Sequence, residues 1–129
     1  MKLRLTDQPR KFHIRDGNIT ISDHGKIELN ADEMVSFVTA SGRECDFTAK
    51  KWGYYPTSSL NSRMKKEGFK TALVKNPDGK ININVVEEDR IGEFDEYLKS
   101  HEFPPKVVCW LDELTLEEVQ KIEKALLSA

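Results

Sequence analysis

FKTALVKNPDGKININVV, residues 69–86, decides the fold. Two apolar runs flank Asn76, Pro77, Asp78 and Gly79. Proline presets one turn dihedral, and Asn, Asp and Gly accept the others, so this quartet reverses the chain. Ile81, Ile83 and Val85 alternate with Asn82 and Asn84, which is the period of a strand with one apolar side. The stretch reads as an antiparallel hairpin whose apolar side needs a cover.

Downstream, residues 90–101 read as an amphipathic helix with Ile91, Phe94, Tyr97 and Leu98 on one stripe, ended by Pro104 and Pro105. Residues 106–111, KVVCWL, form a short apolar run that predicts a strand buried on both sides. Thr115 with Glu118 gives a capping box, which opens a second amphipathic helix. Its stripe of Leu116, Val119, Ile122, Ala125 and Leu126 predicts that it covers a sheet face.

Upstream, residues 12–15 and 18–22 flank Asp16 and Gly17, a two-residue hairpin signal. Ser22, Asp23, His24 and Gly25 predict a turn into residues 26–30. Residues 34–39 and 43–48 flank Ala40, Ser41 and Gly42, a further hairpin, with the polar link Asn30, Ala31, Asp32 and Glu33 before it. The expected class is α+β: an N-terminal antiparallel β-meander, then a short helix, a β-hairpin and two amphipathic helices packed on one core. Residues 1–129 are expected to form a single domain, with a sub-division near 48 and 69 as the alternative.

Charge is uneven. The chain carries −2 overall, yet residues 47–70 hold six basic side chains against Glu67, and residues 87–129 hold twelve acidic against five basic. That balance disfavours a nucleic-acid binder with a large footprint but leaves room for a local anion site. No apolar run reaches the roughly 20 residues that span a bilayer. Neither Cys45 nor Cys109 belongs to a metal-ligand spacing, so both read as reduced core thiols, with a disulfide as the alternative. The N-terminal residues lack a secretory h-region, and the expected location is the cytoplasm, with no membrane partner.

The candidate site lies in FTAKKWGYYPTSSLNSRMKKEGFK, residues 47–70. Trp52, Tyr54 and Tyr55 stand between Lys50 and Lys51 on one side and Arg63, Lys65 and Lys66 on the other. Ser58 or Ser59 predicts the cap of a helix running to Glu67 and stopped by Gly68. A helix start presents unpaired N–H groups to an anion. Thr57, Ser58, Ser59 and Asn61 would add donors, and Arg63 would grip a phosphate or carboxylate bidentately. The rings would stack on a sugar or base, and Gly53 would let the backbone approach. The competing reading of the same residues is a packed connector with capped turns and a solvated basic face.

Trp52-Gly53-Tyr54-Tyr55, Pro56 through Arg63, Gly68-Phe69-Lys70, Ala72 through Asn76 and Val108 through Asp112 together resemble a pattern in small uncharacterised bacterial proteins. That family is associated with surface-polysaccharide and sugar-biosynthesis gene neighbourhoods. The resemblance implies a bacterial cytoplasmic protein with a sugar-related accessory role, and it carries over no catalytic residue.

Other chemistry is sparse. His24 beside Asp23 reads as a turn residue before it reads as a ligand or base. Glu87, Glu88 and Asp89 read as acids at the start of the following helix rather than as a cation or acid–base site, and Asp112 and Glu113 read likewise. Asn82 and Asn84 read as an exposed strand face, with a polar groove as the alternative. No catalytic residue, cofactor or metal is assigned. The expectation is a small binding or accessory module for an anionic, sugar-phosphate-like molecule. The alternatives are a protein-interaction or self-assembly domain and, third, a small enzyme.

Overall fold

A computed structural model describes residues 1–14 and 19–127. The elements in chain order are β1 (Lys2–Ile14), β2 (Ile19–Glu28), β3 (Met34–Val38), β4 (Glu44–Lys50), β5 (Gly53–Pro56), α1 (Arg63–Lys66), β6 (Phe69–Lys75), β7 (Ile81–Glu87), α2 (Ile91–Lys99), β8 (Lys106–Trp110) and α3 (Leu116–Leu127). The class is α+β, with antiparallel pairing throughout the registers observed. The strands form three sheets, ordered β1-β2, β3-β4-β5 and β7-β6-β8. Two compact units result: Met1–Ser36 with Asp46–Thr57, and Phe37–Cys45 with the chain from Ser58 onward.

In the first unit β1 and β2 form a two-stranded ribbon, with Ile14 opposite Ile19 at one end and Lys2 opposite Glu28 at the other. The Asp16-Gly17 turn expected there lies outside the described residues. Ser22 to Gly25 do not reverse the chain; β2 runs through them. The ladder slips between Leu5 and Arg10, where Pro9 has no N–H to donate. Asp23 accepts from the Gly25 N–H at 3.0 Å and pairs with Arg10 at 2.5 Å. Turn chemistry is thus spent on an irregularity inside the strand. Gly25 sits at φ 140°, and a Cβ there would lie 2.1 Å from the Arg4 carbonyl oxygen.

The polar link expected at residues 30–33 is present. Asp32 at φ 68° donates its N–H to the Ala49 oxygen at 2.8 Å, and Ala49 donates back to Glu33 at 2.9 Å. Among the described residues of this unit only Asp46 and Thr48 are buried, and both are polar.

The second unit has a core. The central strand β6 buries Phe69, Thr71, Ala72 and Val74. On one side of the sheet Ala72, Val74 and Leu98 pack with Phe94, Val107 and Trp110, so α2 covers that side as its stripe predicts. On the other side Met64 of α1 is buried, and Thr71 Oγ1 lies 3.5 Å from its sulfur. The Asn76–Gly79 reversal joins β6 to β7, with Leu73 opposite Ile83.

Strand β8 is an edge strand, not one buried on both sides. A bulge between its pairings with Leu73 and Val74 leaves Val108 exposed. The capping box of α3 forms, with Glu118 N–H donating to Thr115 Oγ1 at 3.1 Å and the Glu118 carboxylate accepting from the Thr115 N–H. Beyond that cap, no described residue of α3 is buried, and Leu116, Val119, Ile122 and Leu126 of its apolar stripe are exposed.

Asp112 serves the sheet rather than the helix. It is buried, accepts from the Thr71 N–H at 2.8 Å and pairs with Lys70 at 3.3 Å. Lys70 also pairs with Glu113 and lies 4.9 Å from the centre of the Trp110 ring. Glu87 and Asp89 likewise depart from the capping expectation. Arg43 pairs with Asp89 at 2.5 Å and reaches Glu87 at 3.5 Å, while Thr39 and Ser41 donate hydroxyls to the same Glu87 oxygen. This network ties the β3–β4 hairpin tip to the end of β7 inside the second unit.

Candidate functional site

The ten expected ligand residues are divided between the two units. Lys50, Lys51, Trp52, Tyr54 and Tyr55 belong to the first, and Ser58, Ser59, Asn61, Arg63 and Lys66 to the second.

In the first unit β4 and β5 pair tightly, with Lys50 opposite Gly53, so Lys51 and Trp52 form the tip of the hairpin. Gly53 sits at φ 145°, and a Cβ there would touch nothing. It supplies a backbone conformation rather than the close approach expected of it. Trp52 and Tyr54 are each 73% exposed. Side chains alternate across a strand, so consecutive rings cannot share a face. Trp52 stacks on Tyr55 with centroids 5.9 Å apart and planes 21° apart, whereas Tyr54 meets Phe47 edge-on at 6.3 Å. Two rings make a platform and the third stands apart from it. Lys50 is held by Asp32 at 2.5 Å, whose carboxylate raises the lysine pKa. Lys51 and Trp52 are left as the exposed tip.

In the second unit the helix is four residues long and begins at Arg63, with Ser62 at the cap position and no side-chain capping bond. Ser59 contributes its carbonyl, accepting from Ser62 and Met64, and Ser58 is buried. The oriented helix start that the anion argument required is therefore absent. Ser59, Asn61, Arg63, Lys65 and Lys66 are exposed. Burying Met64 turns Arg63, Lys65 and Lys66 outward, which is the solvated basic face of the competing reading.

Two further groupings take shape, the first of them not read from the sequence. At the irregularity of the ribbon, Arg4, Thr6, Arg10, Asp23 and Lys26 line a cleft of about 330 Å³. Its cations are largely neutralised, because Arg10 pairs with Asp23 and Arg4 with Glu28 at 2.8 Å. The Gly25 N–H, followed by Arg10, holds the Asp23 carboxyl below its ordinary range. In the second unit Asn82, which is exposed, and Asn84, which is half-buried, share the side of the sheet that α2 covers. With Asn76, Tyr97 and His101 they line a cleft of about 300 Å³, the polar groove named as the alternative. The alternation of Asn with Ile carried that signal, but which face met the helix depended on β6.

Among the described residues no group of three or more His, Cys, Asp or Glu side chains is placed to hold a metal ion, and no helix is long and apolar enough to cross a membrane. Cys45 and Cys109 are both thiols. Compared with family models, curated proteins and solved structures, the chain matches none.

Proposed function

We propose that this chain is a protein-interaction and self-assembly module, and one observation carries the reading. The chain exposes 9902 Å² of accessible surface at 14.8 kDa. Two compact units of half that mass would together expose roughly 8,400 Å². The excess is apolar in character: Leu3, Leu5, Phe12, Ile83, Val108 and Ile122 are all exposed. A two-stranded ribbon such as β1–β2 is marginal in water by itself and gains stability when something packs on it. Large apolar side chains left open on a sheet or helix face are the material of interaction sites.

The uneven charge, basic at the centre of the chain and acidic toward its end, adds a polar rim that orients partners. On this reading the second amphipathic helix reaches a core only in the assembly. Light scattering across a concentration series checks the proposal. The expected result is a mass rising above 14.8 kDa. A single mass of one chain at every concentration and salt contradicts it.

A second reading is favoured by the exposed Trp52–Tyr55 stack beside Lys51. There the hairpin tip binds a ring-bearing anion of the sugar-phosphate class, in keeping with the resemblance to proteins of sugar-biosynthesis neighbourhoods and with a cytoplasmic location. A thermal-shift panel of such ligands tests it. Trp52→Ala should abolish any shift, and Arg63→Ala, which lies in the other unit, should leave it intact. No shift with any ligand removes the reading.

A further inference from the structure

Among the described residues, two apolar surfaces of the second unit lack a cover, and they match each other. The first is the side of the β7-β6-β8 sheet opposite α2. Cross-strand pairing puts Ile83, Leu73 and Cys109 in one row, with Ile81 beside Lys75 in the next. Ile83 is 56% exposed, and Ile81 and the bulged Val108 are more so. α1 shields only the Thr71 end of this side, through Met64. The second surface is the stripe of α3: Leu116, Val119, Ile122 and Leu126, all exposed. Spacings of three and four place them along one side of the helix.

Dimensions and charge agree. A 12-residue helix is about 18 Å long. A seven-residue strand is about 23 Å long. The helix can therefore lie along the sheet without overhanging it. Lys75, Lys80 and Lys106 gather at one end of the sheet, where Lys75 stands opposite both Ile81 and Lys106. The first turn of α3 carries Glu117 and Glu118, and its last turn carries Lys124. The acidic start of the helix thus fits the lysine end, and its basic end fits the opposite end of the sheet, where Glu88 follows β7.

We infer that two copies exchange α3, each helix lying stripe-down on the uncovered sheet face of the other. This rests on the self-assembly reading and names its surface and partner. The contact is isologous, because each chain offers the same helix and the same face, and a twofold axis closes it at a dimer. The excess surface of the chain, roughly 1,500 Å² over two separate compact units, exceeds the roughly 800 Å² per partner of a standard interface. The dimer therefore accounts for part of the excess and leaves the ribbon of the first unit outside it.

Sedimentation velocity tests the proposal with Ile83→Asp and Ile122→Asp, each placing a charge in the contact at a position exposed within the chain. Ile83→Ser and Ile122→Ser serve if circular dichroism shows an aspartate variant misfolded. The wild type should sediment as a dimer, and each variant alone should weaken the dimer at least 100-fold. Mixing the two variants should restore dimer, since the mixed pair keeps one intact helix and one intact face in contact. Leu5→Asp, in the first unit, should leave the dimer unchanged. A wild-type dimer that tolerates both isoleucine changes, or variants that mixing fails to rescue, overturns the α3 exchange while the assembly reading survives. A wild type that is monomeric throughout overturns both.

Discussion

The two units of this chain are built on opposite principles. The second buries Met64, Val74 and Thr71 almost completely and ties buried polar groups to charged partners, as with Asp112 and Thr71. The first buries no apolar side chain among its described residues and is held by ladder hydrogen bonds, turns and exposed ion pairs. Hydrophobic burial is the main favourable contribution to folding, and backbone hydrogen bonds add little net. The second unit therefore contains its own reason to fold, whereas the first, among its described residues, does not.

The contrast can be broken most forcefully at Asp112. Asp112→Ala leaves the buried Thr71 N–H without an acceptor and removes a partner of Lys70, at a cost of about 3 kcal/mol. Urea unfolding should show that loss, and exchange rates of the β1–β2 amides should not change. Loss of both units together would mean that they share one cooperative transition.

Gly25→Ala is the counterpart in the first unit. It forces a side chain into φ 140° and against the Arg4 carbonyl. The ribbon should open locally, with faster exchange along β1 and β2, while the main unfolding transition shifts by about 1 kcal/mol or less. A large shift of that transition would show the ribbon to be part of the second unit's cooperative core.

Acid sharpens the comparison. Hydroxyls of Ser41 and Thr39, and then the charges of Arg43 and Arg90, hold the Glu87 carboxyl below its ordinary value of 4.5. A depressed folded pKa gives stability that is complete above the unfolded value and is lost as pH falls through the folded one. The second unit should therefore lose thermal stability on acidification below about pH 4.5, and Glu87→Gln should flatten that slope. An unchanged slope in the variant would show that Glu87 does not carry the effect.

Leu5→Ser should have the smallest effect. The residue is exposed, so dilute-solution stability should change by about 0.5 kcal/mol or less. A larger loss would show that Leu5 is already covered in solution.

Much of the second unit was legible in the sequence. Asn76 to Gly79 specified a reversal, Ile81 to Val85 gave strand period, and Thr115 with Glu118 gave a cap; each signal is local. What failed depended on partners. Asp23 to Gly25 carry turn chemistry, yet β1 lies alongside and keeps them in a strand. Leu3 and Leu5 alternate with charged residues too briefly to announce the N-terminal strand. Asp112 looked like a helix-start acid because its true partner, the Thr71 N–H, lies 41 residues away in sequence. The candidate site is divided for a related reason. Residue types that converge in sequence were divided by strand alternation at Trp52 to Tyr55, and by the change of unit after Thr57.

Hydrogen exchange measured across protein concentrations reads self-association element by element. Amides of α3 should gain protection as concentration rises and self-association covers the helix, while β6 stays protected throughout and β1 and β2, outside the dimer, stay unchanged. Protection of α3 that is independent of concentration, at a constant mass of 14.8 kDa, would contradict the account.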